Sequence, residues 1–408
     1  MQMRILKDTF FLFIFGFFIN IIFQADSNAF LCETDSEGAI LLSSDAVSGS
    51  QEVGSQKAPF KFINGKIGDL GSNFTDQCNA EPDEYKLTFY KVGLCTEDPY
   101  LTSVGGNPGG NPNFSSCFDI LNSSSGKTLT IKADEENNDL LSGQSLTLQI
   151  GSFNYFYAIV NNHLHVKHIQ SFKTEVGAAA DMWGNGDDQE GVRNICYTVA
   201  VVTTITGDHA DDNAYETAHN VDVVDSGPGS NSQLKCTASM DDAIANVAFA
   251  TEIIDHFGED GDASPDNWID YQNMTDHSAG EIDTSGVSMA ANMLQDNGTS
   301  LATTFINATR IGMYYRYTNP INISELTNGF KINIGTSHGI SLDSAQVIAG
   351  GIEDVVQNWM AKVGVDPFTV QIQTRERQKR RRSRGNWRSF KFFGRILQFY
   401  QFFEANCQ

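Results

Sequence analysis

The stretch His163–His168, with the sequence HLHVKH, carries three histidines at strand spacing. Successive side chains of an extended strand point to opposite faces, so His163 and His165 lie on one face, roughly 6 to 7 Å apart, and His168 falls on the other. Neutral imidazole nitrogen is a common ligand of Zn²⁺ and Cu²⁺, and His163 with His165 therefore predicts a metal site. Because the sequence identifies no third ligand, the alternative is that the apolar residues between them are buried and the histidines face solvent.

Acidic turns are the second feature with ligand chemistry. They combine carboxylates with glycine or other small residues, and they occupy residues 185–190, 208–212 and 259–262. Clustered carboxylates can supply the roughly six to eight oxygen ligands that Ca²⁺ takes. We predict that Asp260, Asp262 and Asp266 bind Ca²⁺, which is favoured over Zn²⁺ or Cu²⁺ at the histidines. None of the turns has EF-hand or nonapeptide-repeat spacing, so the alternative is a set of solvated acidic turns.

Motifs of the common catalytic classes do not select an active site. The stretch Gly335–Gly339 is interpreted as a Gly/Ser turn that lacks the spacing of a nucleophile elbow. The sequence has no HExxH motif, and no glycine-rich loop precedes a helix with Lys-Ser or Lys-Thr to hold phosphate. Nothing selects a carboxylate pair for glycoside hydrolysis. These observations favour a non-catalytic protein, and the alternative function is a metal-dependent extracellular hydrolase that uses His163 and His165.

Six of the seven cysteines precede the last 34 residues, and none forms a CxxC pair, which disfavours zinc-ribbon and thioredoxin-like sites. The six are Cys32, Cys78, Cys95, Cys117, Cys196 and Cys236, and the seventh is Cys407. In an exported chain such cysteines form disulfides, and six of them allow about 15 pairings. We favour Cys95–Cys117 as a local bridge, because it closes a loop rich in Gly, Asn and Pro at residues 104–114.

The N-terminus and the overall charge indicate an exported protein that does not bind nucleic acid. Arg4 and Lys7 precede an apolar run at residues 9–23, and small residues follow up to Ala29, as in a signal peptide cleaved after Ala29. The run is shorter than the roughly 20 residues of a membrane-spanning helix, so we expect no transmembrane segment in the mature chain. A net charge of −23 over 408 residues repels phosphate backbones and favours cations as ligands.

Alternating polar and apolar residues predict a strand at Tyr85–Val92. Further strands are predicted at residues 128–132, 145–150, 154–160, 163–169, 195–206, 219–224, 302–317 with a bend at Gly312, and 368–373. Helices are predicted at residues 239–257, 287–294 and 352–363 from apolar periodicity and capping residues. The pattern predicts a mainly β protein. It begins with a signal peptide at residues 1–29 and an irregular leader at 30–57. An antiparallel β-sandwich-like unit at 58–175 then precedes an α+β unit with a few short helices at 176–374.

The composition changes abruptly after residue 374. Residues 375–408 carry ten basic and two acidic side chains, and eight aromatic residues, from Trp387 to Phe403, follow the start of the basic run. One interpretation is a basic amphipathic arm that binds a membrane surface or an acidic partner. The alternatives are a shifted reading frame or other sequence error, and plain disorder.

The stretch Pro82–Cys95, which follows Cys78, resembles the opening strand of uncharacterised secreted proteins of planktonic marine bacteria. In those proteins a Pro-x-x-Tyr strand runs to a Leu-Cys and a variable loop with a second cysteine, here Cys117. A histidine-bearing strand follows, here the one around His165. The resemblance covers about residues 78–170, implies an exported β-sandwich of unknown role, and carries no catalytic residue to this chain.

Taken together, these features predict a secreted, periplasmic or cell-surface protein that is not an enzyme. We expect it to bind or assemble with a glycan or a cell-surface partner through exposed loops and sheet edges. The sequence leaves the ligand and the oligomeric state open.

Overall fold

The computed structural model describes residues 32–42, 76–100, 110–132, 139–141, 148–174, 177, 182–184, 193–204, 212–224, 233–256, 268–273, 286–336, 339–348, 356–365 and 369–376. The predicted signal peptide, the predicted Ca²⁺ ligands Asp260, Asp262 and Asp266, Cys407, and residues 377–408 of the tail lie outside these ranges.

Strands dominate the described residues, which confirms the prediction of a mainly β protein. The strands are β1 (Ile40–Leu42), β2 (Asp76–Ala80), β3 (Glu84–Cys95), β4 (Cys117–Lys132), β5 (Gly151–Asn161), β6 (His163–Lys167), β7 (Ile169–Thr174), β8 (Met182–Trp183), β9 (Ile195–Thr198), β10 (Val202–Thr204), β11 (Leu234–Thr237), β12 (Ala250–Ile253), β13 (Trp268–Asn273), β14 (Val287–Leu294), β15 (Arg310–Ile323), β16 (Thr327–Gly335), β17 (Ile340–Ile348), β18 (Val356–Val365) and β19 (Thr369–Glu376). The helices are α1 (Asn213–His219) and α2 (Met240–Asn246), with 3-10 turns at Asp139–Leu141 and Phe305–Asn307.

The largest sheet has nine strands in the order β10-β12-β6-β3-β5-β15-β14-β13, with β4 paired to β3, and is called the main sheet below. Smaller sheets follow the orders β1-β7-β9-β11, β2-β17-β18-β8 and β16-β19. Strands from both sides of the predicted unit boundary at residues 175/176 share the main sheet, so the two predicted units do not have separate sheets. The predicted leader also contributes a strand, because the buried Ile40 and Leu42 place β1 parallel to β7.

Apolar side chains cover both faces of the main sheet. One face belongs to the principal core, which includes Leu87, Phe156, Val160, Met313 and Tyr315. The other face is rich in tyrosine and is called the tyrosine face: it is formed by Tyr90, Tyr155, Tyr157, Tyr271 and Tyr314. A sheet that is covered on both faces has central strands with apolar residues on both sides. The sequences of such strands are therefore more continuously apolar and show less alternation of polar and apolar residues.

Two of the predicted helices are strands. Residues 287–294 form β14, whose side chains from Met289 to Leu294 are all buried, and residues 356–365 form β18. Short stretches with several apolar residues fit a buried strand as well as a helix, so the apolar periodicity misled the prediction. The third predicted helix begins as expected, with the Ser239 hydroxyl accepting from the Asp242 amide, but it ends at Asn246 and β12 follows. Ile244, one of the residues whose apolar periodicity predicted this helix, is exposed.

The predicted strand at 195–206 is divided between two sheets, as β9 and β10, and the one at 219–224 is wrong because His219 ends helix α1. The predicted bend at Gly312 is also wrong. There β15 keeps its register, with Gly312 opposite Ile159 on β5 and Asn292 on β14. Glycine is needed for space, since a Cβ would lie 2.7 Å from Asn292 Oδ1 and would also meet the Tyr314 hydroxyl.

Three disulfides cross-link the described residues, and the predicted bridge Cys95–Cys117 is confirmed as one of them. Cys95 and Cys117 lie directly opposite each other on β3 and β4, and Cys196 and Cys236 do so on β9 and β11. The third bridge, Cys32–Cys78, ties the N-terminal segment to β2. No helix among the described residues is long and apolar enough to cross a membrane.

The last strand continues beyond its predicted end at Gln373, so the first two residues of the predicted tail belong to β19. Residues Thr374, Arg375 and Glu376 pair with Phe330, Gly329 and Thr327 of β16. We expect a chain ending at Glu376 to melt within a few degrees of the full chain, because residues 377–408 have no steady apolar period. A chain ending at Gln373 should melt at a lower temperature than the one ending at Glu376. Calorimetry of the three chains measures their melting temperatures. A chain ending at Glu376 that melts far below the full chain would contradict this prediction.

Candidate functional site

His163 and His165 lie on one face of β6, as their spacing predicts, with Leu164 and Val166 buried on the other. Their imidazoles take separate partners. His163 Nε2 lies 3.4 Å from His219 Nδ1, and His165 Nδ1 lies 2.7 Å from Thr251 Oγ1 on the neighbouring strand β12. Both side chains are half-buried. The structure thus pairs His163 with a histidine 56 residues away, whereas His165 forms a cross-strand hydrogen bond.

Helix α1 brings His219 to the sheet. The Asp212 carboxylate caps the helix by accepting from the Ala214 and Tyr215 amides, and Asn220 ends it in the left-handed conformation. Tyr215 and His219, one helical turn apart, are both buried, and their rings stack with centroids 4.2 Å apart. Sequence reasoning missed His219 because it assigned the residue to a strand. The available sequence signals for a helix were the residue types at its two ends, Asp at position 212 and Asn at position 220.

Burial keeps both strand histidines neutral at pH 7. It lowers the pKa of His163 to about 4, with further contributions from His219 and His165. It also lowers the pKa of His165 to about 4, with a further contribution from the positive charge of Lys86. A neutral imidazole has one nitrogen lone pair for a proton or a metal ion, and its other nitrogen is a donor.

A buried carboxylate lies in the same group of side chains. The Tyr215 hydroxyl lies 3.4 Å from Asp255 Oδ2, and Asp255 Oδ1 lies 3.1 Å from His256 Nδ1. Burial, and then the charge of Asp255, raises the pKa of Tyr215, so the phenol remains protonated. We call the connected residues His163, Tyr215, His219, Asp255 and His256 the histidine cluster. Their arrangement holds imidazoles in defined orientations beside one buried negative charge.

The remaining predicted site residues are not brought to this cluster. Asp260, Asp262 and Asp266 lie outside the described residues, and so do the other predicted acidic turns apart from Asp212. Within the described ranges, no group of three or more His, Cys, Asp or Glu side chains is arranged to hold a metal ion.

The stretch Gly335–Gly339 has the sequence GTSHG, which is the spacing of a GxSxG motif, so the expectation that it lacks this spacing is wrong. A nucleophile elbow joins a strand to a helix, whereas this stretch joins strand β16 to strand β17. The Gly339 amide donates to the Thr336 carbonyl at 2.8 Å, which confirms the interpretation as a turn. Ser337 and His338 lie outside the described residues.

The rim of the tyrosine face carries a second candidate site, which sequence reasoning missed. Arg316 Nη2 donates to Asp98 Oδ2 at 3.0 Å, and the guanidinium lies 3.8 Å from the ring centroid of Tyr271. Tyr155, directly opposite Arg316 on β5, lies on the same face, with its ring centroid 5.9 Å from the guanidinium. The Tyr271 hydroxyl donates to Asp98 Oδ1 at 2.7 Å. Asp98 thus orients both an arginine and a tyrosine, and Arg316 remains 44 % exposed.

In a similar arrangement at the other end of β15, the arginine is largely buried. The Arg310 guanidinium lies 3.4 Å from the ring centroid of Tyr90 and donates to Asp296 at 2.7 Å. The Arg310 side chain is only 12 % exposed, whereas Asp296 is exposed. Arg310 therefore holds the 295–301 turn against the sheet, and of these two arginines Arg316 is the one that a ligand can reach.

The loop closed by Cys95–Cys117 covers the centre of the tyrosine face. Tyr100 packs on Tyr314 with ring centroids 5.4 Å apart, and Phe114 packs on Tyr157 at 4.7 Å. Asp98, near the start of this loop, also accepts from the Tyr100 amide at 3.0 Å. The loop therefore positions the carboxylate that orients Arg316. No sequence signal indicates this site, because its residues come from β5, β13, β15 and the loop.

Comparison with protein-family models, with curated proteins and with solved structures found no match to this chain. The candidate sites therefore rest on their own geometry.

Proposed function

We propose that this protein is an exported, non-catalytic binding protein of the extracellular space or cell surface, and that its ligand is a glycan. The ligand contacts the rim of the tyrosine face at Tyr155, Tyr271 and Arg316. The observation that carries the proposal is the half-exposed Arg316 guanidinium, held against the Tyr271 ring and by the Asp98 carboxylate.

A site of this kind loses little conformational entropy on binding. Stacking and the bond to Asp98 hold the Arg316 side chain, so its remaining N–H groups meet a ligand in a fixed geometry. Arginine and tyrosine are also the residue types that contribute most often to binding energy at protein surfaces. Planar rings beside fixed donors and acceptors suit a sugar, which has an apolar C–H face and hydroxyls around its edge.

Charge favours a neutral glycan over an acidic one. Asp98 compensates the charge of Arg316, and the whole chain carries a net charge of −23, which opposes the approach of anions. The signal-peptide pattern and three disulfides support the exported part of the proposal, since disulfides persist in oxidising compartments.

An array of defined neutral and acidic oligosaccharides, followed by calorimetric titration of the glycans that bind, tests the proposal. We expect Arg316→Gln and Tyr155→Ala each to weaken binding roughly tenfold or more, as residues central to an interface do. Arg375→Gln is the matched control, because it removes an exposed arginine from β19 and should leave binding unchanged. Absence of glycan binding by the native chain, or equal losses in Arg316→Gln and Arg375→Gln, would show that the assignment is wrong.

A further inference from the structure

We propose that His163 and His219 together bind one transition-metal ion, Zn²⁺ or Cu²⁺, where helix α1 meets the main sheet. The site does not depend on the proposed glycan site, which lies on the tyrosine face. It also differs from the pair that strand spacing predicts, since His219 replaces His165 as the partner of His163.

The tautomer of His219 follows from its second contact. His219 Nε2 lies 3.2 Å from the carbonyl oxygen of Phe305, and a carbonyl can only accept, so Nε2 carries the proton. The Nδ1 lone pair of His219 is therefore directed at His163. Metal-binding histidines characteristically donate their second ring N–H to a backbone carbonyl or carboxylate, which fixes the ring and strengthens the ligand.

The separation of the two nitrogens fits a shared metal ion. The distance of 3.4 Å between His163 Nε2 and His219 Nδ1 is long for a hydrogen bond from an N–H group, whose usual range is about 2.7 to 3.2 Å. Two nitrogens bound to one tetrahedral ion, each at roughly 2.0 to 2.1 Å, lie about 3.3 to 3.4 Å apart. The imidazoles therefore have the spacing of ligands without any movement of β6 or α1.

The surroundings fix the His219 ring and the start of β6, and the ligand atoms set the class of ion. The His163 amide donates to Asn161 Oδ1 at 2.7 Å, which orders the start of β6, while the Tyr215 ring stacks on His219. The buried Asp255 carboxylate lies 3.4 Å from the Tyr215 hydroxyl, and its charge partly offsets that of a bound cation. Neutral nitrogen ligands favour Zn²⁺ or Cu²⁺ over Ca²⁺ or Mg²⁺, which prefer oxygen. Solvent molecules would fill the other coordination positions.

Copper serves as the probe, with the full exported chain stripped of metals by a chelator. Electron paramagnetic resonance should show one Cu²⁺ per chain, with hyperfine splitting from two imidazole nitrogens. His163→Gln and His219→Gln should each weaken Cu²⁺ binding roughly tenfold or more and remove this signal. His165→Gln is the matched control, because the His165 imidazole is hydrogen-bonded to Thr251. This variant should retain both the copper affinity and the signal.

Copper binding by the native chain alone also tests the assignment. A copper signal with fewer than two imidazole nitrogens, or no copper bound, would contradict it even if the variants failed to fold. Equal copper binding by His219→Gln and the native chain would contradict it as well. Loss of the signal in His165→Gln with retention in His219→Gln would identify the strand pair His163 and His165 as the ligands instead.

Discussion

Removal of the Cys95–Cys117 disulfide by the double substitution Cys95→Ala and Cys117→Ala is expected to lower the free energy of unfolding by about 3 kcal/mol. The bridge spans a sequence separation of 22 residues, and opening a loop of that length returns roughly this much chain entropy to the unfolded state. Alanine is the appropriate replacement, because Cys95 is fully buried and a serine hydroxyl there would be desolvated. Denaturant unfolding under non-reducing conditions measures the change.

The bridge also holds the loop that carries Asp98, Tyr100 and Phe114, so the same variant should weaken glycan binding at Arg316. The matched control replaces Cys196 and Cys236 by alanine. That bridge spans 40 residues and should cost a similar or slightly larger free energy, but it lies in another sheet and should leave binding unchanged. A loss below about 1 kcal/mol on removal of Cys95–Cys117 would show that packing alone holds the loop.

Substitution of Gly93 by alanine is expected to lower the free energy of unfolding by about 2 to 3 kcal/mol, as overpacking of a core does. Gly93 lies in β3, with β4 on one side and β5 on the other. A Cβ at this position would lie 2.5 Å from the carbonyl oxygen of Phe118 and 2.5 Å from the Tyr157 ring. The carbonyl belongs to the backbone of β4. The Tyr157 ring cannot move freely either, because its hydroxyl donates to Asp119 and its face packs on Phe114.

Gly329→Ala provides the control for the Gly93 substitution. Gly329 also lies in a strand, β16, and no atom lies within 4 Å of the position of its added Cβ. Its free energy of unfolding should change by less than about 0.5 kcal/mol. Equal stabilities of Gly93→Ala and Gly329→Ala in denaturant titrations would show that β3 and β4 can separate without cost.

Local patterns predicted the features that depend on neighbouring residues. The alternation around Tyr85 predicted β3, the spacing of His163 and His165 predicted that they share a face, and the short loop between Cys95 and Cys117 favoured their bridge. The pairings Cys32–Cys78 and Cys196–Cys236 were not predictable, because many pairings of six cysteines are compatible with one sequence. Residues 287–294 were assigned to a helix for a related reason: whether an apolar run is a strand depends on the layers that bury it.

The sequence by itself determined that this chain is strand-rich, acidic and able to form disulfides. Composition needs no tertiary structure, and the alternation of polar and apolar residues in strands depends only on neighbouring residues. Only the tertiary structure decided which histidine meets His163, since helix α1 must fold onto the main sheet before His219 comes within reach. It also decided that Arg316 faces solvent while Arg310 is buried, although both lie on one face of β15. The difference arises from the turn at 295–301, which covers one end of the strand, and no pattern within β15 records it.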